Sequence, residues 1–172
     1  AVAVVWRGAR VWVANVGDSR CVISSLSRKL VFASADHKPD LASERARVEA
    51  SGGEVRSKVC GPDGWTVHRI FVQGQDYPGL AMSRSLGDQS VKHLGVIATP
   101  EIYELDVDLA EQPFVLLASD GIWEFIMSEN VVNAVGRRLQ RDGAASAVQW
   151  LQEEARRQWK LEEGQYCDDI TA

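Results

Sequence analysis

The order of hydrophobic patterns constrains this chain most: strand-like runs come first and two helix-like faces come last. Residues 1–6 and 11–16 are β-rich and flank the short polar turn Arg7-Gly8-Ala9-Arg10, which predicts a hairpin. In the second run Val11, Val13 and Asn15 alternate with Trp12, Ala14 and Val16, so both faces carry apolar groups and a buried strand is expected. Gly17-Asp18-Ser19 then turns the chain into Cys21-Val22-Ile23. Residues 102–107 and 114–118 are further strands, the latter a continuous apolar run suited to a sheet interior. At the far end Ser128 is placed to cap a helix whose apolar face is Val131, Val132, Val135 and Leu139, ending at Asp142-Gly143. A second helical face follows in Ala147, Val148, Leu151, Ala155 and Trp159, with Glu153, Glu154, Arg156 and Arg157 turned to solvent. Strands before helices predict α+β layering rather than regular βαβ alternation.

Between these parts, residues 40–51 read as a short helix stopped by Gly52-Gly53. From 54 to 78 the pattern weakens, with Gly61-Pro62-Asp63-Gly64 a turn and 68–72 a strand, so a loop-rich excursion is expected. The chain has 172 residues, 45% of them hydrophobic and six of them Trp, enough for one domain with a core and unlike disordered or fibrous sequences. Its net charge of -5 gives no basic footprint for nucleic acid or an anionic membrane, so a phosphate-binding surface on it needs bound cations. No apolar run has the length of a membrane span. Cys21, Cys60 and Cys167 lie far apart with no Cys-x-x-Cys spacing, which suggests neither a disulfide framework nor a thiolate zinc site and makes a reduced, intracellular compartment the default expectation. Both ends interrupt patterned sequence, an apolar stretch at Ala1 and a new segment at Thr171-Ala172, and read as cuts through a larger domain.

Three aspartates stand where strand-like segments meet turns: Asp18 after 11–16, Asp120 after 114–118, and Asp168 opening Asp168-Asp169-Ile170-Thr171. Carboxylates carried at a sheet edge on stiff backbone suit a hard cation that needs fixed geometry, and oxygen-only ligation favours Mg²⁺ or Mn²⁺ over zinc. Taken singly, an Asp in a Gly-containing turn more often bonds nearby backbone N–H groups. Asp169, beside Asp168, reads as solvated or backbone-bonding. His37, His68 and His93 are scattered and read as packing or surface residues.

In order, the chain shows ANVGDSR (14–20), DHKP (36–39), AMSRSLGD (81–88), TPEI (99–102), LASDGIWE (117–124) and DDIT (168–171). This set resembles the type 2C, metal-dependent serine/threonine protein phosphatases, over nearly the whole chain. The resemblance implies an α+β fold, a sandwich of two antiparallel sheets flanked by helix pairs, represented here without its N-terminal strands. Residues 1–172 would be the C-terminal portion of one catalytic domain, and about 41–80 the flap beside its active site. It also implies two to three Mg²⁺ or Mn²⁺ ions per complete site, which supply a bridging water or hydroxide for hydrolysis of phosphoserine and phosphothreonine in proteins. By position, Asp120 resembles the carboxylate bound to the metal pair, Asp168 its companion ligand, and Asp18 the ligand of a weaker third ion. Glu124 stands where many relatives carry Asp, a position that helps hold the third ion in some members, and its extra methylene moves the carboxylate, which puts that ligand in question. Arg84 resembles a position with a packing or ion-pair role.

The family motif Asp-Gly-His-Gly, with its bridging Asp and general-acid His, is absent from these residues, as is the phosphate-binding Arg. Both are expected upstream of Ala1, so no catalytic residue is assigned within the chain and the chain alone is expected to be inactive. Phosphoprotein substrates are the expected partners, with no nucleic acid and no membrane. The alternative is a phosphatase-like pseudoenzyme that keeps the fold as a binding or regulatory module.

Overall fold

The computed structural model describes residues 1–60 and 64–172 and divides into two compact units. One unit comprises residue 1, residues 16–18 and residues 36–100; the other comprises 2–15, 19–35 and 101–172.

The second unit contains the sandwich. Strands β1 (Val2–Arg7) and β2 (Arg10–Asn15) form the expected antiparallel hairpin, and β2 pairs on its far side with β8 (Glu101–Asp106). A second antiparallel sheet runs β4 (Leu30–Ala33), β3 (Arg20–Ser25), β9 (Pro113–Ala118). The two sheets share one apolar interior in which Val11, Val13, Cys21 and Ile23 are wholly buried and Val4, Phe32, Leu105 and Leu117 pack around them. Each such fully buried branched side chain contributes about 1.5–3 kcal/mol relative to exposure. Alternation on β2 sends Val11, Val13 and Asn15 into this interior, while Trp12 and Ala14 stay half-buried on the other face.

The opposite face of the β4-β3-β9 sheet carries Val22, Leu116 and Ala118 against the helices. Helix α2 (Asp120–Trp123) contributes Ile122 and Trp123, and α3 (Ser128–Glu162) contributes Val131, Val132, Val135, Ala147, Leu151 and Ala155. These six belong to the helical faces read from the sequence, while Leu139 and Val148 of those faces are half-buried outside this cluster. Helix α3 breaks where expected: Gly143 takes φ 84° and ψ 174°, a conformation only glycine adopts without strain. Ser128 corrects an expectation, because Met127 occupies the N-cap position and the Ser128 hydroxyl instead receives a hydrogen bond from Arg20 Nη1 at 2.9 Å.

The first unit holds α1 (Ala42–Ala50), which ends at Ser51, followed by Gly52 with φ 82°, and the antiparallel sheet β5 (Gly53–Cys60), β6 (Trp65–Val72), β7 (Pro78–Leu80). The strand expected at 68–72 is part of β6, but the loop-rich excursion expected around it over 54–78 is instead this sheet, with β5 and β6 paired from Gly53↔Val72 to Cys60↔Trp65. The turn expected at Gly61-Pro62-Asp63-Gly64 falls largely outside the described residues. The unit's core is Val48, Ile70, Val91, Leu94 and Val96. No helix among the described residues is long and apolar enough to cross a membrane.

Candidate metal centre

Asp120 opens α2 directly after β9, so a stiff sheet strand delivers it to a helix start. Its Oδ1 accepts the Gly121 N–H at 3.1 Å. The turn is fastened to the C-terminal segment by three hydrogen bonds through Ser119. Its N–H donates to the Thr171 carbonyl at 3.0 Å, its hydroxyl donates to the Asp169 carbonyl at 2.9 Å, and the Thr171 N–H donates to that hydroxyl at 3.1 Å. The segment that begins at Asp168 thus runs alongside the turn that carries Asp120. Trp123 adds a further tie, its indole N–H donating to the Ala118 carbonyl at 2.8 Å.

Asp168 and Asp169 differ in burial and in contacts. Asp168 is half-buried and its Oδ1 accepts the Asp169 N–H at 2.7 Å. Asp169 is exposed and spends its carbonyl on Ser119. Glu124 is exposed at the end of α2, four residues from Asp120 and so on the same helical face.

The oxygen-only donors Asp120 and Asp168 fit a hard divalent ion such as Mg²⁺ or Mn²⁺. Among the described residues no group of three or more Asp, Glu, His or Cys side chains could hold an ion alone. Asp120 and Asp168 would supply two of the oxygen ligands such an ion takes.

In the first unit, Asp18 is buried and its Oδ2 lies 2.7 Å from Lys38 Nζ. Gly17 N–H donates to His37 Nδ1 at 3.1 Å, and the Ser83 N–H and hydroxyl both reach the His37 carbonyl, at 2.8 and 2.9 Å. His37 is accordingly a buried packing residue. Arg84 takes the expected ion-pair role, with Nη2 2.6 Å from Glu44 Oε1. That partner was missed in the sequence. Glu44 is only 1% exposed and also receives Arg47 Nη1 at 2.9 Å, Arg47 Nη2 at 2.6 Å and the Ser83 hydroxyl at 2.5 Å. Burial raises its pKa, but hydrogen bonds from Arg47, Arg84 and Ser83 together with the Arg47 charge outweigh it and hold the carboxyl far below the usual carboxylate range. The available signal was Val48: at i and i+4 the two side chains share the face of α1 that packs inward.

A strand-delivered Asp at a helix start, clasped to a second Asp-bearing segment, stands on a two-sheet sandwich, the fold that the motif resemblance implies. The family model described as protein phosphatase 2C matches residues 1–159. The chain belongs to the protein phosphatase 2C family. It is 34% identical to probable protein phosphatase 2C 34 of Arabidopsis thaliana over all of its own length and 48% of that protein's. It is 38% identical to probable protein phosphatase 2C 12 of Oryza sativa subsp. japonica, over 86% of this chain and 38% of that one. The chain therefore spans less than half the length of these relatives. Among solved structures, a serine-threonine phosphatase 2C from Toxoplasma gondii matches with a TM-score of 0.76 at 23% identity, covering 98% of this chain and 55% of that one. A C. elegans sex determining protein matches with a TM-score of 0.69 at 22% identity, covering 94% and 35%. These two establish the fold alone.

Proposed function

We propose that the full-length protein hydrolyses phosphoserine and phosphothreonine in proteins, with Mg²⁺ or Mn²⁺ as cofactor and with Asp120 and Asp168 as metal ligands. The observation that supports this reading is the Ser119 clasp, which fixes the Asp120 turn to the segment opening at Asp168. Attack on a phosphate monoester brings an electron-rich oxygen to a dianion, so positive charge must be supplied at the ester. When bound, the cations supply that charge and acidify a water. The chain's own residues orient the ligands: Gly121 N–H holds one Asp120 oxygen and Asp169 N–H holds one Asp168 oxygen.

Glu124 keeps its assignment to the third ion through its i,i+4 relation to Asp120. For Asp18 the same assignment requires Lys38 to yield to a cation, which makes it the weakest ligand of the set. Residues 41–80, with α1 and the β5-β6-β7 sheet, are assigned to the flap, and residues 1–172 to the C-terminal portion of one catalytic domain. The general-acid His, the bridging Asp and the phosphate-binding Arg belong upstream of Ala1 in this reading, and phosphoproteins are the partners.

In the full-length protein, Asp120→Asn is expected to lower Mn²⁺-dependent hydrolysis of a phosphothreonine peptide by orders of magnitude with the fold intact, and Asp169→Asn to do far less. Residues 1–172 assayed alone should show no turnover. Equal losses in the two variants would remove the ligand assignment. A wild-type full-length protein without turnover at millimolar Mn²⁺ would favour the non-catalytic binding module.

A further inference from the structure

Trp159 touches Gly121, the residue after Asp120, and Tyr166, two residues before Asp168, yet no motif and no ligand assignment uses it. It comes from the C-terminal part of α3 and is 6% exposed. Its indole N–H donates to the carbonyl of Gly121, the residue after Asp120, at 2.7 Å. Its ring meets Tyr166, two residues before Asp168, edge-on with centroids 5.6 Å apart, and meets Phe125 edge-on at 4.7 Å. Gly121 is confined from a second side as well, since a Cβ there would lie 2.5 Å from the Asp169 carbonyl oxygen. The α2 segment is only four residues long, too short to hold its own conformation, and carbonyls at a helix end need partners from outside the helix. Trp159 supplies one of them.

We propose that Trp159 is a positioning residue for the carboxylate pair: its N–H fixes the Asp120 turn and its ring fixes the approach to Asp168, so that both ligands keep the spacing a small divalent ion demands. The proposal rests on the reading of Asp120 and Asp168 as ligands. Mg²⁺ tolerates little departure from octahedral geometry, and groups that orient metal ligands commonly affect affinity by about 10–100-fold when changed.

The test uses the full-length protein and reads apparent Mn²⁺ affinity from the rise of Tm with Mn²⁺ concentration, a measurement independent of turnover. Trp159→Phe keeps an aromatic ring and removes the donor; it is expected to weaken Mn²⁺ by about tenfold. KM for a phosphothreonine peptide at saturating Mn²⁺ should stay unchanged. Tyr166→Leu removes the ring contact at an exposed position and should weaken Mn²⁺ by a smaller factor. That variant decides the matter should Trp159→Phe fail to fold. A lower metal-free Tm with unchanged Mn²⁺ affinity would make Trp159 a packing residue only and overturn the proposal. Asp120→Asn separates the two levels. If it leaves Mn²⁺ affinity unaltered, the ligand reading itself fails; if it abolishes the Mn²⁺ response while Trp159→Phe and Tyr166→Leu do not weaken it, only the positioning role fails.

Discussion

The two units hold their central carboxylates by opposite means. In the first, Glu44 lies in the interior with two guanidinium groups and a hydroxyl on its oxygens. In the second, Asp120 and Asp168 are half-buried, and each has an oxygen held by the N–H of the residue that follows it. A carboxylate whose counter-charges are built into the surrounding chain is committed to architecture, because any exchange of partner leaves a buried charge uncompensated. A carboxylate oriented by its own backbone at a strand end can trade partners with an ion from solution. The same functional group thus does structural work in one unit and, in the function proposed, holds a cation in the other.

The most severe way to break this contrast is Glu44→Gln. It leaves Arg47 and Arg84 facing a neutral amide in the interior, and unfolding in urea should show a loss of about 3–5 kcal/mol. Asp168→Asn, measured without divalent cation, should stay within about 1 kcal/mol of wild type. Comparable losses would erase the distinction. The pH dependence follows from the direction of the Glu44 shift. Its folded-state pKa lies below its unfolded value, so its contribution is fully present above the ordinary glutamate range and is lost as pH falls toward the folded value. Acid titration of stability should therefore be less steep below about pH 4.3 in Glu44→Gln than in wild type.

A smaller effect comes from Gly121→Ala. The added methyl would stand 2.5 Å from the Asp169 carbonyl oxygen and 3.1 Å from Ile170 Cγ1, which forces the two aspartate-bearing segments apart. Overpacking of this kind costs about 1–3 kcal/mol. The sharper readout is the Mn²⁺-dependent rise in Tm, which Gly121→Ala should diminish and Glu44→Gln should leave intact despite its larger effect on stability. The reverse pattern would mean that the Glu44 knot, and not the Ser119 clasp, governs metal binding.

The parts of this molecule legible in its sequence are those governed by local periodicity. The opening hairpin, the strands after 101 and 113, and the two arms of α3 with Gly143 between them all follow from side-chain spacing within a few residues. Of the β5-β6 hairpin only 68–72 was legible, because the inward face, with Val55 and Ile70, alternates with Glu54, Arg56, Lys58, Arg69 and Phe71, a set too mixed to show β5 without its partner. The Asp18, His37 and Ser83 motifs were recognisable as fragments, but what joins them is long-range: Lys38 reaches Asp18 across 20 positions and Ser83 reaches His37 across 46. Glu44 stands outside every motif and reads as an ordinary helical surface charge until Arg84 arrives from 40 residues away. At the candidate site, the sequence supplied the aspartates, and the roles proposed for them come from the family resemblance. The Ser119 clasp and Trp159 needed the fold, because their contacts run to backbone atoms, which sequence patterns do not encode.

The smallest expected effect tests whether the Asp168 segment is as accessible as its proposed role requires. Cys167 immediately precedes Asp168 and is exposed, whereas Cys21 lies on β3 in the sandwich interior. Burial pushes the Cys21 thiol up to about 12, so it is protonated at neutral pH and also sterically shielded. Alkylation requires the thiolate and an open path. Brief treatment of the native protein with iodoacetamide at pH 8, followed by peptide mapping, should therefore modify Cys167 and spare Cys21, with little change in Tm. Urea should abolish the difference. Protection of Cys167 in the native protein would place the Asp168 segment beyond the reach of small solutes, and the contrast with Glu44 would have to be redrawn as one between two closed sites.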